Sequence, residues 1–168
     1  MTRVHGRFEF PMPASCETVF DAFHQHCWRH RWDTLAPHPQ LRGGGEHPEV
    51  GRETSNRGAG FLAALSMSTV FISYERPRVA AARMVGRSFP FASWAASMRH
   101  RPEGHGHSML LYTYSFEVFP RMLAPLLQPI VQQVFDRQTR RRFAHLRDFL
   151  AGHAAEVEAW RSAQPSKV

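Results

Sequence analysis

The segment 121–151 carries the longest helical pattern in this sequence, and it constrains the fold most. Its apolar residues recur at spacings of three and four, as on one face of an α-helix. Pro125 and Pro129 lie in its first half, and a proline inside a helix removes a hydrogen bond and clashes with the preceding turn. The sequence therefore predicts either a short helix followed by a main helix from about Pro129, or a pronounced kink. Gly152 is a natural end for this helix, and one more short helix is expected over 153–161.

Most of the remaining chain is typical of β-strands separated by turns. Polar–apolar alternation, β-branched runs and bounding Gly or Pro residues predict strands at 7–12, 50–56, 62–75, 79–86, 93–102 and 108–119. Consecutive strands joined by short turns make an antiparallel meander, and one face of it must be covered. Only the last helix is long enough to cover it. The predicted fold class is therefore α+β, with a curved antiparallel sheet wrapped around a long C-terminal α-helix.

The segment 16–34 is also predicted to be helical, because its apolar residues follow three- and four-residue spacings. Ser15 is placed to cap the start of this segment. The segment forms either one amphipathic helix or two short helices broken near His24–His26. One domain is expected over 1–152, followed by the short helix and a disordered tail within 153–168.

The concave side of the sheet is predicted to border an apolar cavity. The strand 108–119 alternates most regularly, and the face with Leu110, Tyr112, Tyr114, Phe116 and Val118 is expected to point inward. If the sheet curls around the last helix, the space between them does not have to be filled completely. The candidate ligand-binding residues are Trp32, Trp94, Met98, Tyr112, Tyr114, Phe116, Met122, Leu126, Leu127, Ile130, Val131, Val134 and Phe135.

Four residues are candidates for acid–base chemistry in such a cavity: Tyr112, Tyr114, His100 and Arg83. A tyrosine hydroxyl can orient a carbonyl or act as a general acid, although the simpler interpretation is that both rings only pack. His100, expected near the cavity mouth, titrates near neutral pH, but such edge residues are more often merely solvated. If Arg83 points inward it needs a carboxylate or an anionic ligand, because an unpaired buried charge is very costly. Glu53 is a candidate partner for it.

The motifs of metal and cofactor sites are not present in the sequence. His26 and His30 are four residues apart on one helix face, as zinc ligands are in some enzymes, but no third ligand stands at a fixed spacing. The glycines at 43–45 follow no strong strand and open no helix, so they are not a phosphate-binding loop. We therefore expect no metal and no cofactor.

The formal net charge of +7 raises the question of an anionic partner. Much of this charge is one run on the last helix, predicted to be a solvated face: Arg137, Arg140, Arg141 and Arg142, with Arg147 following. No nucleic-acid-binding motif accompanies it, so no nucleic-acid partner is expected. No run approaches ~18 apolar residues, so no membrane span is expected. The N-terminal residues lack a secretory signal pattern, and the expected location is the cytoplasm.

Five stretches follow one another in an order that a known superfamily shares: FEFPMPASCETVFDAF, Arg31-Trp32-Asp33, VFISYERPRVAAARMVG, HSMLLYTYSFEV and RRRFAHLRDFL. In this order they resemble the START-like (SRPBCC) superfamily of helix-grip proteins, which includes polyketide cyclases, pathogenesis-related proteins and lipid-transfer domains. The resemblance covers residues 7–151. It implies two short helices after the first strand and a cavity between sheet and helix. It does not imply one reaction, because members of the superfamily share the cavity and differ in its use.

Three functions are compatible with these observations. The first is binding of a small hydrophobic or amphipathic molecule, lipid or polyketide-like, in the cavity. The alternative is a cyclase or aromatase type of enzyme, in which cavity Tyr, His or Arg side chains move protons. The third is an interaction domain that presents the arginine-rich helix face to an acidic partner. The sequence is compatible with a monomer or a dimer.

Overall fold

The computed structural model describes residues 3–34, 40–41, 49–57 and 66–164. Its elements follow in the order β1 Val4–Met12, α1 Cys16–His24, α2 His26–Trp32, β2 Gln40–Leu41, β3 Glu53–Arg57, β4 Ser66–Glu75, β5 Val79–Met84, β6 Phe91–Gly104, β7 His107–Val118, a 3-10 turn Arg121–Leu123 and α3 Ala124–Ala163. Residues 62–65 of the predicted strand and residues 165–168 of the predicted tail lie outside the described residues.

The seven strands within the described residues form one antiparallel sheet in the order β1-β7-β6-β5-β4-β3-β2. From β2 to β7 each strand pairs with its neighbour in the chain, as in a meander. β1 lies instead beside β7, with Val4 opposite Phe116 and Met12 opposite Ser108. With α3 packed against β1 and β7, this arrangement confirms the α+β helix-grip fold.

The buried face of β7 is the one that its alternation predicts. Leu110, Tyr112, Tyr114, Phe116 and Val118 are at most 7% exposed. Phe143 of α3 meets this face, with its ring centroid 5.2 Å from that of Tyr112, 4.7 Å from Phe10 and 5.8 Å from Phe23. One side chain therefore joins β7, β1 and α1 to the last helix.

The predicted helical segment 16–34 is two helices. The chain leaves helical geometry at Gln25, whose backbone is extended with φ −82° and ψ 126°. Ser15 caps α1 as predicted, since its hydroxyl oxygen accepts a hydrogen bond from the backbone N–H of Thr18 at 3.3 Å. The break allows α2 to turn back against α3.

α3 begins earlier than the sequence predicts. The first of the two predicted alternatives, a main helix from about Pro129, is wrong, because α3 begins at Ala124, directly after the 3-10 turn. The second alternative, a pronounced kink, stays a prediction. Pro125 occupies the first turn, where a proline loses no helical hydrogen bond and its fixed φ suits a helix. Pro129 lies inside the helix and removes one hydrogen bond without ending it.

α3 also continues past Gly152, where the sequence predicts its end. Residues 153–161 are therefore part of the same helix and not a separate one. Packing explains the difference, since Val157 is completely buried and the ring of Trp160 lies 5.9 Å from that of Trp28. Burial of these two side chains outweighs the roughly 1 kcal/mol by which a glycine disfavours a helix interior.

The two halves of α3 differ in burial. From the middle of the helix onward, Phe143, Leu146 and Leu150 are at most 1% exposed. In the N-terminal half, Leu126 and Ile130 are 72% and 59% exposed. The sheet therefore meets the middle of the helix at Phe143, the later turns pack against Trp28 of α2 through Phe149 and Trp160, and the first turns are exposed.

Gly6 on β1 makes room for the ring of Tyr114. A Cβ atom at Gly6 would lie 2.2 Å from Cε1 of Tyr114. The ring has little freedom to move, because it stacks on Phe116 at 5.8 Å and lies 4.6 Å from Phe135. Its hydroxyl also donates a hydrogen bond to the Asp136 carboxylate. The absence of a side chain at Gly6 is therefore a packing requirement.

Gly6→Ala is expected to destabilise the protein by about 1–3 kcal/mol, the usual effect of overpacking a core. Gly152→Ala is the matched control, because a Cβ atom there has no heavy atom within 4 Å and the residue is helical. The control is expected to stabilise by about 0.5–1 kcal/mol. Urea unfolding of both variants measures the two changes, and equal effects would contradict this account of Gly6.

Candidate functional site

A cavity of about 390 Å³ lies between the sheet, α1, α2 and α3. The sheet contributes Thr54, Met67, Thr69, Phe71, Ala80, Ala82, Phe91, Trp94, Ala96, Met98 and Tyr112, and the connection before β6 contributes Ser88, Phe89 and Pro90. The helices contribute Phe23, His24, His26, Arg29, Ile130, Val131, Val134, Phe135, Gln138, Thr139, Arg142 and Phe143. The volume lies within the range of small-molecule sites.

Three alanines explain why this space is not filled. Ala80 and Ala82 of β5 and Ala96 of β6 line the cavity, and Ala82 lies opposite Ala96 in the sheet register. The larger side chains of Trp94 and Met98, on the same face of β6, flank Ala96. Short side chains on neighbouring strands thus leave a hollow in the concave face of the sheet.

The cavity changes in character along α3. At one end Ile130 and Val134 are 59% and 47% exposed, so this end is the mouth, and Phe89, which also lines the cavity, is 58% exposed. At the other end Thr139 and Phe143 are 6% and 1% exposed. The cavity therefore runs from an open apolar mouth to a closed inner end.

Two arginines and one aspartate form a buried cluster at the inner end. Arg29 Nε donates a hydrogen bond to Asp33 Oδ2 at 2.8 Å, and Arg142 donates to the same oxygen through Nε at 3.1 Å and Nη2 at 2.5 Å. The Asp33 side chain is fully buried, and those of Arg29 and Arg142 are 12% and 18% exposed. Both guanidinium groups lie over the ring of Phe23, at 5.3 Å and 4.8 Å from its centroid. The cluster ties α2 to α3 and borders the cavity through its arginines.

All three members of the cluster are charged at neutral pH. Burial acts to raise the pKa of Asp33, but Arg142 and then Arg29 outweigh it and hold the pKa below its ordinary value. Burial, followed by the nearby charge of Arg142, lowers the pKa of Arg29 to about 10. Arginine side chains carry a permanent positive charge in proteins. The cluster therefore holds two positive charges and one negative charge.

Two titratable side chains of the wall are held neutral. Burial lowers the pKa of His24 to about 3, and its Nδ1 lies 2.9 Å from the Phe20 carbonyl oxygen, which can only accept a hydrogen bond. Burial raises the pKa of Tyr112. Desolvation favours the neutral form in both cases, so neither His24 nor Tyr112 is poised to exchange a proton near pH 7.

The sequence matches the model of the family described as polyketide cyclase / dehydrase and lipid transport over residues 1–157. The chain belongs to this family. The START-like resemblance seen in the sequence is thereby confirmed. No curated protein matches the sequence.

Solved structures agree with this assignment in their fold. Norcoclaurine synthase from Thalictrum flavum, in complex with dopamine and hydroxybenzaldehyde, has a TM-score of 0.64 at 11% identity, with 90% of this chain and 88% of that chain covered. A conserved protein from Geobacillus kaustophilus has a TM-score of 0.69 at 15% identity, with coverages of 89% and 97%. A protein from Thermus thermophilus has a TM-score of 0.71 at 12% identity, with coverages of 89% and 98%. At these identities the similarity shows the fold alone.

In this member of the polyketide cyclase / dehydrase and lipid transport family, part of the predicted ligand-binding set lies on the cavity wall. These residues are Trp94, Met98, Tyr112, Ile130, Val131, Val134 and Phe135. Their contact with a ligand stays a prediction, because the structure gives their position and not their partner.

Three predicted ligand-binding residues are buried away from the cavity wall. Trp32 packs inside the helical pair, where its indole N–H donates a hydrogen bond to the Ala22 carbonyl at 2.8 Å. Tyr114 and Phe116 lie on the predicted face of β7, but Phe135 covers them, with its ring 4.6 Å and 5.8 Å from theirs. The strand pattern predicts their direction correctly and cannot show which helical side chain covers them.

The 3-10 turn and the first turn of α3 also contribute less to the cavity than the sequence predicts. Met122 is 93% exposed and Leu126 is 72% exposed, and neither lines the cavity. Leu127 packs against the core instead. On this helix the cavity wall begins at Ile130.

Arg83 does not point into the cavity. It is exposed, whereas the next residue, Met84, is 6% exposed and faces the interior. The condition under which the sequence predicts a pair with Glu53, an inward Arg83, is therefore not met. On β5, Met84 is on the inward face, and Arg83 is on the outward face.

Among the four acid–base candidates, only Tyr112 lines this cavity. His100 is not a solvated mouth residue, since its ring packs 5.5 Å from that of Phe20 and burial lowers its pKa to about 4. It borders a second cavity of about 430 Å³ between the start of α1 and the β6–β7 turn. The hydroxyl of Tyr114 is bound to Asp136. The four candidates therefore do not meet at one point.

Two other features concern metals and membranes. The ring of His30 turns back to the helix, with Nδ1 3.1 Å from the His26 carbonyl oxygen. Within the part of the chain that the structure describes, no three His, Cys, Asp or Glu side chains lie together as metal ligands.

Within the same residues, no helix has both the length and the apolar character needed to cross a membrane.

Sequence analysis misses the charged inner end. Arg142 is predicted on a solvated face with its neighbours, but it is turned inward to Asp33, while Arg140 and Arg141 are exposed. A signal for this exists in the sequence, because Arg142 is seven residues after Phe135 and four before Leu146, on the apolar face of the helix. What the sequence cannot supply is the partner, which comes from another helix.

Asp33→Asn is expected to destabilise the protein by about 3–5 kcal/mol, because it leaves two buried guanidiniums without a counter-charge. The pKa of Asp33 is lowered in the folded state. The contribution of Asp33 to the free energy of unfolding is therefore fully present at pH values above its unfolded pKa of about 3.9. It is lost as the pH falls through its folded pKa. Urea unfolding at pH 7 measures the change.

The control for this substitution is Asp148→Asn, which removes an exposed carboxylate of α3 that lies 2.9 Å from Arg147. An exposed pair contributes at most about 1 kcal/mol. If Asp33→Asn changed the free energy of unfolding as little as the control, the cluster would not have the role described.

Acidification is expected to destabilise the protein through His24 and His100. Their pKa values of about 3 and about 4 lie below the ordinary 6.5. At pH values between 6.5 and the folded pKa of each histidine, the unfolded chain binds a proton that the folded chain does not. The free energy of unfolding therefore falls as the pH falls. The slope is up to about 1.4 kcal/mol per pH unit for each histidine. Urea unfolding at a series of pH values measures it.

Single variants separate the two contributions to this slope. His24→Gln and His100→Gln each remove one buried imidazole, so each is expected to have a shallower slope than the wild type, and the double variant the shallowest. A slope that neither substitution changes would contradict the assignment to these two residues.

Proposed function

We propose that the protein binds a small hydrophobic or amphipathic molecule, lipid or polyketide-like, in the cavity between the sheet and α3. The main support is a cavity of about 390 Å³ whose wall is mostly aromatic and aliphatic and which no described side chain fills. The family description names cyclases, dehydrases and lipid transport. Holding an apolar molecule is common to these activities.

The composition of the wall supports this proposal further. Met67 and Met98 are flexible side chains that adapt to ligands of different shape. Trp94 adds a large aromatic side chain to the same wall.

The two rival functions have less support. A proton-transferring enzyme needs titratable groups that converge on one point, and the predicted set of Tyr112, Tyr114, His100 and Arg83 does not converge. An interaction domain does not require an open cavity behind its surface. The proposal retains the cytoplasm as the location and a small hydrophobic molecule, rather than nucleic acid, as the partner.

A cavity-filling substitution tests the proposal. Ala96→Phe places a ring in the hollow opposite Ala82, so it is expected to weaken binding of the neutral probe N-phenyl-1-naphthylamine at least tenfold. Ala95→Phe is the matched control, because Ala95 lies between Arg83 and Ser115 in the sheet and does not line the cavity. Probe fluorescence measures the dissociation constants.

The wild type and Ala95→Phe are expected to bind the probe equally. Loss of affinity in both variants, or in neither, would place the probe outside the cavity. Native mass spectrometry of the protein purified from its own host is the complementary measurement, because a retained small molecule adds a defined mass. A protein that carries no added mass and binds no apolar probe would overturn the proposal.

A further inference from the structure

The inner end of the cavity carries a net positive charge. Arg29 and Arg142 line it, and Asp33 is the carboxylate that both of them bind. Two guanidiniums against one carboxylate leave one positive charge in excess. Among the described residues, the cavity lining contains no aspartate or glutamate that could balance it.

The positions of the three groups place this excess toward the cavity. The Asp33 side chain is fully buried and does not line the cavity, whereas both arginine side chains do and are 12% and 18% exposed. The ring of Phe23 attracts both guanidiniums through its π face. A ring quadrupole adds no negative charge, so the excess remains.

A purely structural role accounts for one arginine and not for two. Elsewhere in the described residues a single arginine pairs with a carboxylate of another element, as Arg31 does with Glu156 at 2.8 Å. Arg29 with Asp33 is a complete pair within α2. The second guanidinium, that of Arg142, is what creates the excess beside the cavity.

The remaining wall fits a molecule with an acid at one end. From Ile130 at the mouth to Arg142 at the inner end, α3 advances about 18 Å at 1.5 Å per residue. Between them Val131, Val134 and Phe135 line the cavity with apolar groups. Thr139, beside Arg142, offers a hydroxyl at the inner end.

We infer that the cavity selects amphipathic acids, with the carboxylate held by Arg142 and Arg29 at the inner end and the apolar chain directed to the mouth. This inference rests on the proposed function and adds the class of ligand to it. A planar guanidinium matches the two oxygens of a carboxylate. Because the site is shielded from water, the attraction is stronger there than on the surface.

Isothermal titration calorimetry with three probes of equal chain length tests this inference: dodecanoic acid, dodecan-1-ol and dodecylamine. At pH 7 the wild type is expected to bind the acid at least tenfold more tightly than the alcohol, and the amine most weakly. Arg142→Gln leaves the balanced pair of Arg29 and Asp33, so the ratio between acid and alcohol is expected to fall to about one. Arg142→Lys keeps the charge and is expected to keep the preference for the acid.

Arg141→Gln is the matched control, because it removes the same charge from an exposed neighbour on the same helix. It is expected to leave the wild-type ratio unchanged, and an equal fall in both variants would assign the preference to the net charge of the protein and overturn the inference.

The ratio between acid and alcohol is measured on the wild type itself, so the test does not depend on the folding of Arg142→Gln. Equal affinity of the wild type for acid and alcohol overturns the inference and leaves the proposed function intact. Failure to bind any of the probes overturns both.

Discussion

The ring of Phe143 is the contact on which the rest of the architecture depends. It is 1% exposed and lies against Phe10 of β1, Phe23 of α1 and Tyr112 of β7. Fixing a 40-residue helix to three elements at one point gives its two ends different surroundings. Toward the C-terminus the helix enters the core with Leu146. Toward the N-terminus it stands off from β5 and β6, which face it with alanines. The cavity is therefore a consequence of where the helix is anchored.

The same anchor places charge at the inner end of the cavity. Arg142 directly precedes Phe143, so the position of the ring also brings the guanidinium to Asp33. Removing three charged groups from water is costly, and apolar side chains of similar volume often give equal or greater stability. A contact that only holds α2 against α3 has simpler solutions than two arginines and an aspartate. An excess arginine beside a cavity is better explained by binding, since functional sites commonly lower stability.

The sequence predicts those parts of the fold that follow from periodicity. The period of two in β7 identifies its buried face correctly, because alternate residues of a strand share a side. Prediction fails where packing overrides local preference, as at Gly152, where burial of Val157 keeps the helix intact. In the site, alternation places the bulky residues of β6 correctly but not the charged ones. Arg83 is exposed, whereas Arg142 is turned inward. The partner that holds Arg142 there, Asp33, is 109 residues away in the chain. Local patterns do not contain pairings at that distance.

Burial lowers the pKa of both His24 and Arg29, but only Arg29 keeps its charge at neutral pH, and the difference bears on what the cavity can do. His24 is desolvated without a carboxylate partner, and the nearby charge of Arg142 does not outweigh the desolvation of Tyr112, so each is held neutral. Arg29 is desolvated beside a carboxylate, and it stays charged at neutral pH. A group that moves protons needs two forms of similar free energy near pH 7, whereas a group that holds an anion needs a charge that does not change. The arginines meet the second requirement, and His24 and Tyr112 do not meet the first. The chemistry that these residues supply is thus a fixed electrostatic contact at the end of an apolar channel, which favours holding a ligand over converting it.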